Sequence, residues 1–213
     1  MDQKRAIFIL VSGAAVIILL AIIILVVPAP PPEKSSETPW QAYRSDRFGF
    51  EMQYPADWTV AEFPDDQIAP RINFYPRKTA PLLPLTHHSE TPNVSVFPYG
   101  FPTEGVFGAT RESDAEIGPA VRQGLDYTLA DGTVWATYLN LAEAPDSWQE
   151  FGFLWARAEI QDLEVFCTRN GVRLEVENCD PLGSEDQIVR SGRVDPALRE
   201  TEVRILKSFR LLQ

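Results

Sequence analysis

The chain holds few of the residues on which most catalytic and metal sites depend. Its 213 residues include only two histidines, His87 and His88, and two cysteines, Cys167 and Cys179. Adjacent residues of an extended chain point to opposite sides, so the two histidines are poorly placed to share one metal ion. We interpret them as part of an exposed loop, which any histidine-based triad or general base would have to use.

Sequence motifs of common enzyme and metal sites are also missing. The chain contains no G-x-S-x-G, H-E-x-x-H or C-x-x-C pattern. Carboxylates are frequent, but Asp180, Glu185 and Asp186 do not have the spacing of an EF-hand loop. We therefore predict that the protein is not an enzyme, that it has no cofactor, and that it has no catalytic or metal-binding residues.

Basic residues are outnumbered. The chain has 19 lysines and arginines against 30 aspartates and glutamates, a net charge of −11. Such a charge opposes binding to phosphate backbones and to anionic lipid surfaces. We predict that no nucleic acid is bound. The acidic surface then serves solubility or, as an alternative, forms an acidic binding face.

A long apolar segment without charged residues spans 6–27 and directly follows Lys4 and Arg5. As a helix it would be roughly 33 Å long, enough to cross a bilayer core. The two basic residues predict that residues 1–5 are cytoplasmic and that the chain beyond residue 27 is extracytoplasmic. The alternative is a cleaved signal peptide, which the length of the run and Pro30 disfavour.

The segment 28–39 is rich in proline and predicts an extended spacer. Residues 40–213 follow without a second linker and are enough for one domain with a sizeable core. The predicted organisation is thus a cytoplasmic N-terminus, a single transmembrane anchor, a spacer and one extracytoplasmic domain in the cell membrane.

Within this domain, patterns typical of strands outnumber those of helices. Phe48, Phe50, Met52 and Tyr54 alternate with polar residues and glycine, which predicts a strand with one buried face. Further strands are predicted at 58–60, 71–75 and 93–97, and an aromatic-rich run at 151–160 reads as a central strand. A helix is predicted over 113–123, although Gly118 and Pro119 oppose it. These elements indicate an α+β fold with a mostly antiparallel sheet.

Two hairpins are predicted at Asp131-Gly132 and Asn170-Gly171, since these pairs suit tight turns with positive φ. A two-residue loop at Asn170-Gly171 places Thr168 opposite Arg173 and Cys167 opposite Leu174. Val172 is expected to face inward. Cys179 can reach Cys167 only if the chain folds back after Asn178. Cys167 and Cys179 are therefore either a structural disulfide, which an oxidising compartment permits, or two free buried cysteines.

A C-terminal helix is predicted to start at Asp195-Pro196, with aspartate as N-cap and proline in the first turn. Leu198, Ile205, Leu206 and Phe209 recur at helical spacing and form its packing face. Residues 208–211 are compatible with the end of this helix or with a short final strand.

Two segments resemble PsbP-like domains. The segment 47–60, RFGFEMQYPADWTV, resembles their opening, in which an aromatic-Gly-Phe strand is followed by Tyr-Pro and a strand with tryptophan. The segment 205–211, ILKSFRL, looks like their closing helix and final strand. The resemblance implies an α/β/α sandwich around an antiparallel sheet, the fold shared with a Ran-binding nuclear-import factor. The predicted domain is similar to that of membrane-anchored bacterial proteins. The resemblance transfers no functional residue, because the matched positions are packing and turn positions.

These observations favour a non-enzymatic, membrane-anchored extracytoplasmic domain that binds or supports an envelope protein or assembly. One alternative is a small-ligand-binding domain, with Phe97, Tyr99 and Phe101 as a candidate binding loop. Another alternative is a hydrolase that uses carboxylates such as Asp65, Asp66 or Glu112.

Overall fold

A computed structural model describes residues 38–64, 69–79, 85, 90–100, 108–114, 121–141, 143–149, 152–180 and 185–212. Thr38–Gln213 belong to one compact unit. The predicted anchor 6–27 and most of the predicted spacer lie outside the described residues. Within the described ranges, no helix combines the length and the hydropathy that a membrane crossing requires.

The described residues form a mostly antiparallel β protein with one C-terminal helix, α1 (Pro196–Lys207). The strands are β1 (Trp40–Ser45), β2 (Phe50–Pro55), β3 (Trp58–Phe63), β4 (Arg71–Pro76), β5 (Asn93–Phe97), β6 (Ala109–Glu112), β7 (Val121–Thr128), β8 (Val134–Leu141), β9 (Phe153–Arg157), β10 (Ile160–Arg169), β11 (Val172–Leu174), β12 (Asp186–Val194) and β13 (Arg210–Leu211). Short 3-10 helices occupy Arg77–Thr79 and Val176–Asn178.

The strands form three sheets. Seven strands follow the order β3-β4-β5-β9-β8-β7-β6, and three-stranded sheets have the orders β1-β2-β13 and β11-β10-β12. The segment 151–160 was predicted as a central strand, and β9 indeed lies in the middle of the seven-stranded sheet. We call the β11-β10-β12 sheet the ribbon.

The two faces of the seven-stranded sheet have separate hydrophobic clusters. On one face, Leu154 and Ala156 of β9 pack with Phe50 and Met52 of β2 and with Leu206 of α1. On the other face, Phe153 and Trp155 pack with Phe97, Tyr127 and Trp135. This alternation along β9 is the period of two expected for a strand covered on both sides. We call these the helix face and the tryptophan face.

Helix α1 begins as predicted. The Asp195 carboxylate accepts hydrogen bonds from the N–H groups of Ala197 and Leu198, and Pro196 occupies the first turn. Ile205 and Leu206 are buried on the helix face. After the helix, β13 pairs with β2, with Arg210 opposite Glu51 and Leu211 opposite Phe50, so the end of the chain is the short strand.

The hairpin at Asn170-Gly171 has the predicted register. Both turn residues have positive φ, at 51° and 78°, and Cys167 lies opposite Leu174. Val172, however, is 64% exposed, so the expectation that it faces inward is wrong. The ladder of β11 ends at Leu174, and no residue of this short strand is buried.

Two other local predictions need correction. At Asp131-Gly132 only the glycine has positive φ. The loop is also longer than two residues. Leu129 N donates to Thr133 O and Gly132 N donates to Leu129 O, so the loop comprises residues 130–132. The predicted helix over 113–123 is wrong at its C-terminal end, because β7 begins at Val121. Residues 115–120 lie outside the described residues.

Candidate functional site

A β-bulge shapes the start of the ribbon. Between the pairs Gln161–Arg193 and Glu164–Ser191, Asp162 and Leu163 of β10 face only Gly192 of β12. Asp162 has a φ of 53°, an uncommon conformation that aspartate tolerates better than most residues. Bulges redirect side chains and are frequent beside functional sites. The bulge therefore makes this corner of the molecule a candidate site.

Gly192 allows the two strands to approach closely at the bulge. A Cβ atom there would lie 2.5 Å from Ile160 Cγ2 and 2.7 Å from the Gln161 carbonyl oxygen. Its φ of 147° also disfavours any residue with a side chain. The bulge thus depends on a glycine at this position.

A cleft of about 280 Å³ lies beside the bulge. Its apolar lining comes from Pro92, Ile160 and Leu163, and its hydroxyl groups come from Thr79 and Thr91. Among the described residues, the lining also includes three charged ones, namely Glu90, Arg157 and Glu159. The volume is near the lower end of the range for small-molecule sites, which is about 300–1,000 Å³. Concave shape, apolar walls and a few polar groups are the usual features of such sites.

Arg157 is the buried charge of this cleft. It ends the central strand β9 and is only 6% exposed, and its guanidinium lies over the Trp135 ring, 5.1 Å from the ring centroid. Burial lowers its pKa to about 10, and the negative charge of Glu90 opposes that shift. Because burial reduces solvent screening, the charge of Arg157 acts strongly on nearby groups.

The remaining charges of the cleft lie at its surface. Glu90 and Glu159 are both exposed. The cleft thus has a cationic group in its interior and two carboxylates toward solvent, which together give it separate regions of opposite charge.

A chain of buried hydrogen bonds fixes the strand that leads to the Thr91 wall of the cleft. Asn73 Nδ2 donates to Ser95 Oγ, and Ser95 Oγ donates to Asn93 Oδ1, both at 2.7 Å. Asn93 Nδ2 then donates to the Thr91 carbonyl oxygen, also at 2.7 Å. Since Asn93 is paired with Arg157 in the β5–β9 register, these bonds hold the two sides of the cleft in a fixed relation.

The helix face contains a second polar cluster, centred on Glu202 of α1. Glu202 is fully buried, and its Oε2 accepts a hydrogen bond from Arg199 Nη1 at 3.1 Å. Its Oε1 has no hydrogen-bond partner among the described residues. Burial raises the pKa of Glu202 to about 8, against the opposing effects of Arg199 and Arg157.

This cluster continues across the sheet. Arg199 Nη2 donates to Thr137 Oγ1, and Thr137 Oγ1 donates to Asp126 Oδ1 at 2.6 Å. Ser113 Oγ donates to the same carboxylate oxygen at 2.9 Å. The cluster connects α1 to β8 and β7 through polar groups within an otherwise apolar interface. The two acidic residues of the cluster, Glu202 and Asp126, are both buried.

A disulfide joins Cys167 and Cys179, whose Cα atoms are 5.8 Å apart. The fold-back occurs through the 3-10 turn Val176–Asn178, just before Cys179. Asp186 lies close to both sulfur atoms, within 4.8 Å. Its carboxylate, however, accepts two hydrogen bonds from Arg169 and one from the Asp180 N–H, and Arg169 lowers its pKa to about 2. With both sulfurs bonded to each other, this group is a structural junction of the ribbon and a poor ligand set for a cation.

Phe97 and Tyr99 of the predicted binding loop do not line the cleft. Phe97 is fully buried on the tryptophan face and stacks on Phe153, with ring centroids 4.6 Å apart. Tyr99 contacts the edge of Phe48 on the other cluster. Phe101 lies outside the described residues, as do His87, His88, Asp65 and Asp66. Glu112 is exposed on β6.

The sequence motifs predicted none of Arg157, Glu90 and Glu159. One signal was available, because Arg157 is the only charged residue in the aromatic-rich run 151–158. A charge within a strand that is otherwise buried is rare unless it is paired or functional. The residues of the cleft come from three separate segments of the chain, so no spacing rule would have grouped them.

The fold and the cleft define an antiparallel β domain with a cleft of mixed charge. Comparison with protein-family models, with curated proteins and with solved structures finds no match to this chain.

Proposed function

We propose that residues 40–213 form a non-enzymatic binding domain that the anchor 6–27 presents outside the cell membrane, and that its ligand is a small molecule bound in the cleft. The observation that carries this proposal is the cleft itself, which is lined by the buried Arg157, by apolar side chains and by Leu163 of the bulge. The disulfide supports an extracytoplasmic location, because such bonds persist in oxidising compartments.

A matched pair of variants tests this function. Leu163→Arg introduces a long charged side chain at the cleft, whereas Val172→Arg introduces the same side chain on the ribbon away from it. The purified full-length chain is screened in detergent against a library of small metabolites by ligand-observed NMR. We expect ligands that bind the wild type and Val172→Arg and that lose binding in Leu163→Arg. A set of ligands that is unaffected by Leu163→Arg would reject the cleft as the binding site.

A second candidate function is the binding of an envelope protein or assembly. The observation that favours it is the group of exposed apolar side chains on the ribbon, Leu163, Val165 and Val172, on a scaffold held by a disulfide. Exposed apolar groups of this kind occur at protein interfaces. A photoreactive residue at Val172 should crosslink one specific protein in intact membranes, and the same residue at the exposed Glu112 should not. Equal crosslinking from both positions would reject the ribbon as an interface.

The PsbP-like α/β/α sandwich is likewise proposed as the finer description of the fold. It is supported by the pairing of β13 with β2, because this pairing brings together the two segments that resemble PsbP-like domains. An experimental structure tests it, since a sandwich requires a helical layer on the tryptophan face as well as on the helix face. A tryptophan face without helices would reject it.

A further inference from the structure

We propose that the cleft recognises a small zwitterion of the amino-acid class, with the carboxylate of the ligand directed to Arg157 and its ammonium group to Glu90 and Glu159. This inference rests on the proposed ligand-binding function and names the chemistry of the ligand. It depends on the arrangement of charges around the cleft, which a ligand of one charge satisfies only in part.

The interior of the cleft favours an anion. Arg157 is almost completely buried, and one side of its guanidinium is covered by Trp135. A planar guanidinium with fixed orientation suits the two oxygens of a carboxylate. Arg190 also lies over the Trp135 ring, 5.2 Å from the centroid, and adds positive charge to this region.

The outer part of the cleft disfavours a simple anion. Glu90 and Glu159 are exposed there, and the chain as a whole has a net charge of −11. A ligand carboxylate alone would meet Arg157 but would also be repelled by two glutamates. A ligand ammonium group alone would meet the glutamates but would be repelled by Arg157. A molecule that carries both charges, a few bonds apart, removes both conflicts.

The remaining lining suits an aliphatic side chain. Pro92, Ile160 and Leu163 offer apolar surface, and Thr79 and Thr91 add two hydroxyl groups. The cleft volume of about 280 Å³ fits a single small molecule. An aliphatic amino acid matches the size, the apolar surface and both charges.

Three probes of matched carbon skeleton test the inference. Norleucine carries both charges, hexanoate lacks the ammonium group, and pentylamine lacks the carboxylate. Binding to the full-length chain in detergent is measured by isothermal titration calorimetry at neutral pH. We expect norleucine to bind at least tenfold more tightly than either singly charged probe. Tighter or equal binding of hexanoate or of pentylamine overturns the zwitterion assignment, and so does the absence of binding by norleucine.

Variants at the exposed carboxylates separate the two contacts without disturbing a buried group. Glu90→Gln and Glu159→Gln should each weaken norleucine binding about tenfold and should leave hexanoate binding equal or stronger. Glu112→Gln, an exposed carboxylate on β6, is the control and should change neither. Norleucine binding that is insensitive to both cleft variants overturns the proposed ammonium contact.

The result also distinguishes this inference from the proposed function. If hexanoate or pentylamine binds best and Leu163→Arg abolishes that binding, the cleft remains a ligand site and only the zwitterion class is rejected. If Leu163→Arg leaves every ligand bound, the proposed function fails as well.

Discussion

The seven-stranded sheet and the ribbon are stabilised in different ways, although both are antiparallel and adjacent in the chain. Every residue of β5 and β9 is buried. In the ribbon, most residues of β10 are exposed, and none of β11 is fully buried. The sheet is therefore held by side-chain burial, which is the dominant favourable term in folding.

The ribbon relies on short-range constraints instead. A disulfide, a tight turn with two positive φ angles and three arginine–carboxylate pairs hold its strands. Exposed ion pairs contribute little, about 0–1 kcal/mol each. The cleft thus lies at the boundary between a region held by burial and a region held by covalent and conformational constraints.

The largest effect is expected from a cavity in the sheet. Leu154→Ala removes a fully buried side chain from β9 and should lower the free energy of unfolding by about 3–5 kcal/mol. Leu163→Ala, the same substitution at a residue that is 36% exposed on the ribbon, should cost less than about 1 kcal/mol. Guanidinium titration followed by tryptophan fluorescence measures both. Equal losses would contradict the division between the two regions.

The next effect concerns the disulfide. The double variant Cys167→Ala and Cys179→Ala opens a loop with a sequence separation of 12, and we expect a loss of about 2–3 kcal/mol. Amide hydrogen exchange should show that β10 and β12 lose protection while β5 and β9 keep it. A uniform loss across all strands would show that the ribbon is not an independent unit of stability.

Thiol counting provides the control for this variant. The denatured wild type should show no reactive thiol without reductant and two after reduction. Two reactive thiols in the unreduced protein would show that Cys167 and Cys179 are free.

Per pH unit, a smaller effect is expected at Glu202. Its pKa in the folded state, about 8, is above the ordinary value of 4.5. Between these values the folded state retains a proton that the unfolded state has lost, so stability falls as pH rises across this window. Glu202→Gln should remove a slope of about 1 kcal/mol per pH unit between pH 5 and 8.

The pH experiment has a matched control on the same helix. Glu200 is exposed, and Glu200→Gln should leave the slope unchanged. Arg157, which also acts on Glu202, has a pKa of about 10 and keeps its charge across this range, so the slope is assigned to the carboxyl group. A wild type whose stability rises from pH 5 to 8 would contradict the burial of a neutral Glu202.

The sequence predicted the elements that depend on local patterns and missed those that depend on distant contacts. The register at Asn170-Gly171 and the Asp195 cap follow from residues a few positions apart. The prediction that Val172 faces inward was wrong because alternation identifies the two faces of a strand but does not say whether a second layer covers either of them. Gly192 lies opposite Asp162 only because β10 pairs with β12, so no local sequence pattern predicts the bulge or the cleft beside it.

The smallest effect separates charge from backbone conformation at the bulge. Asp162 pairs with Arg193, with Oδ2 and Nη2 2.5 Å apart, but both side chains are about three-quarters exposed. Asp162→Asn removes the charge and keeps a residue that tolerates positive φ, so stability should change by less than about 0.5 kcal/mol. Asp162→Ala removes the same ion pair but disfavours the positive φ, and it should cost about 1 kcal/mol more than Asp162→Asn.

Guanidinium titration at low and high salt measures both variants. If Asp162→Asn costs as much as Asp162→Ala, and if salt abolishes the difference from the wild type, the ion pair holds the bulge. If only Asp162→Ala is destabilised, the backbone conformation holds it, as we expect for a ribbon that depends on conformational constraints.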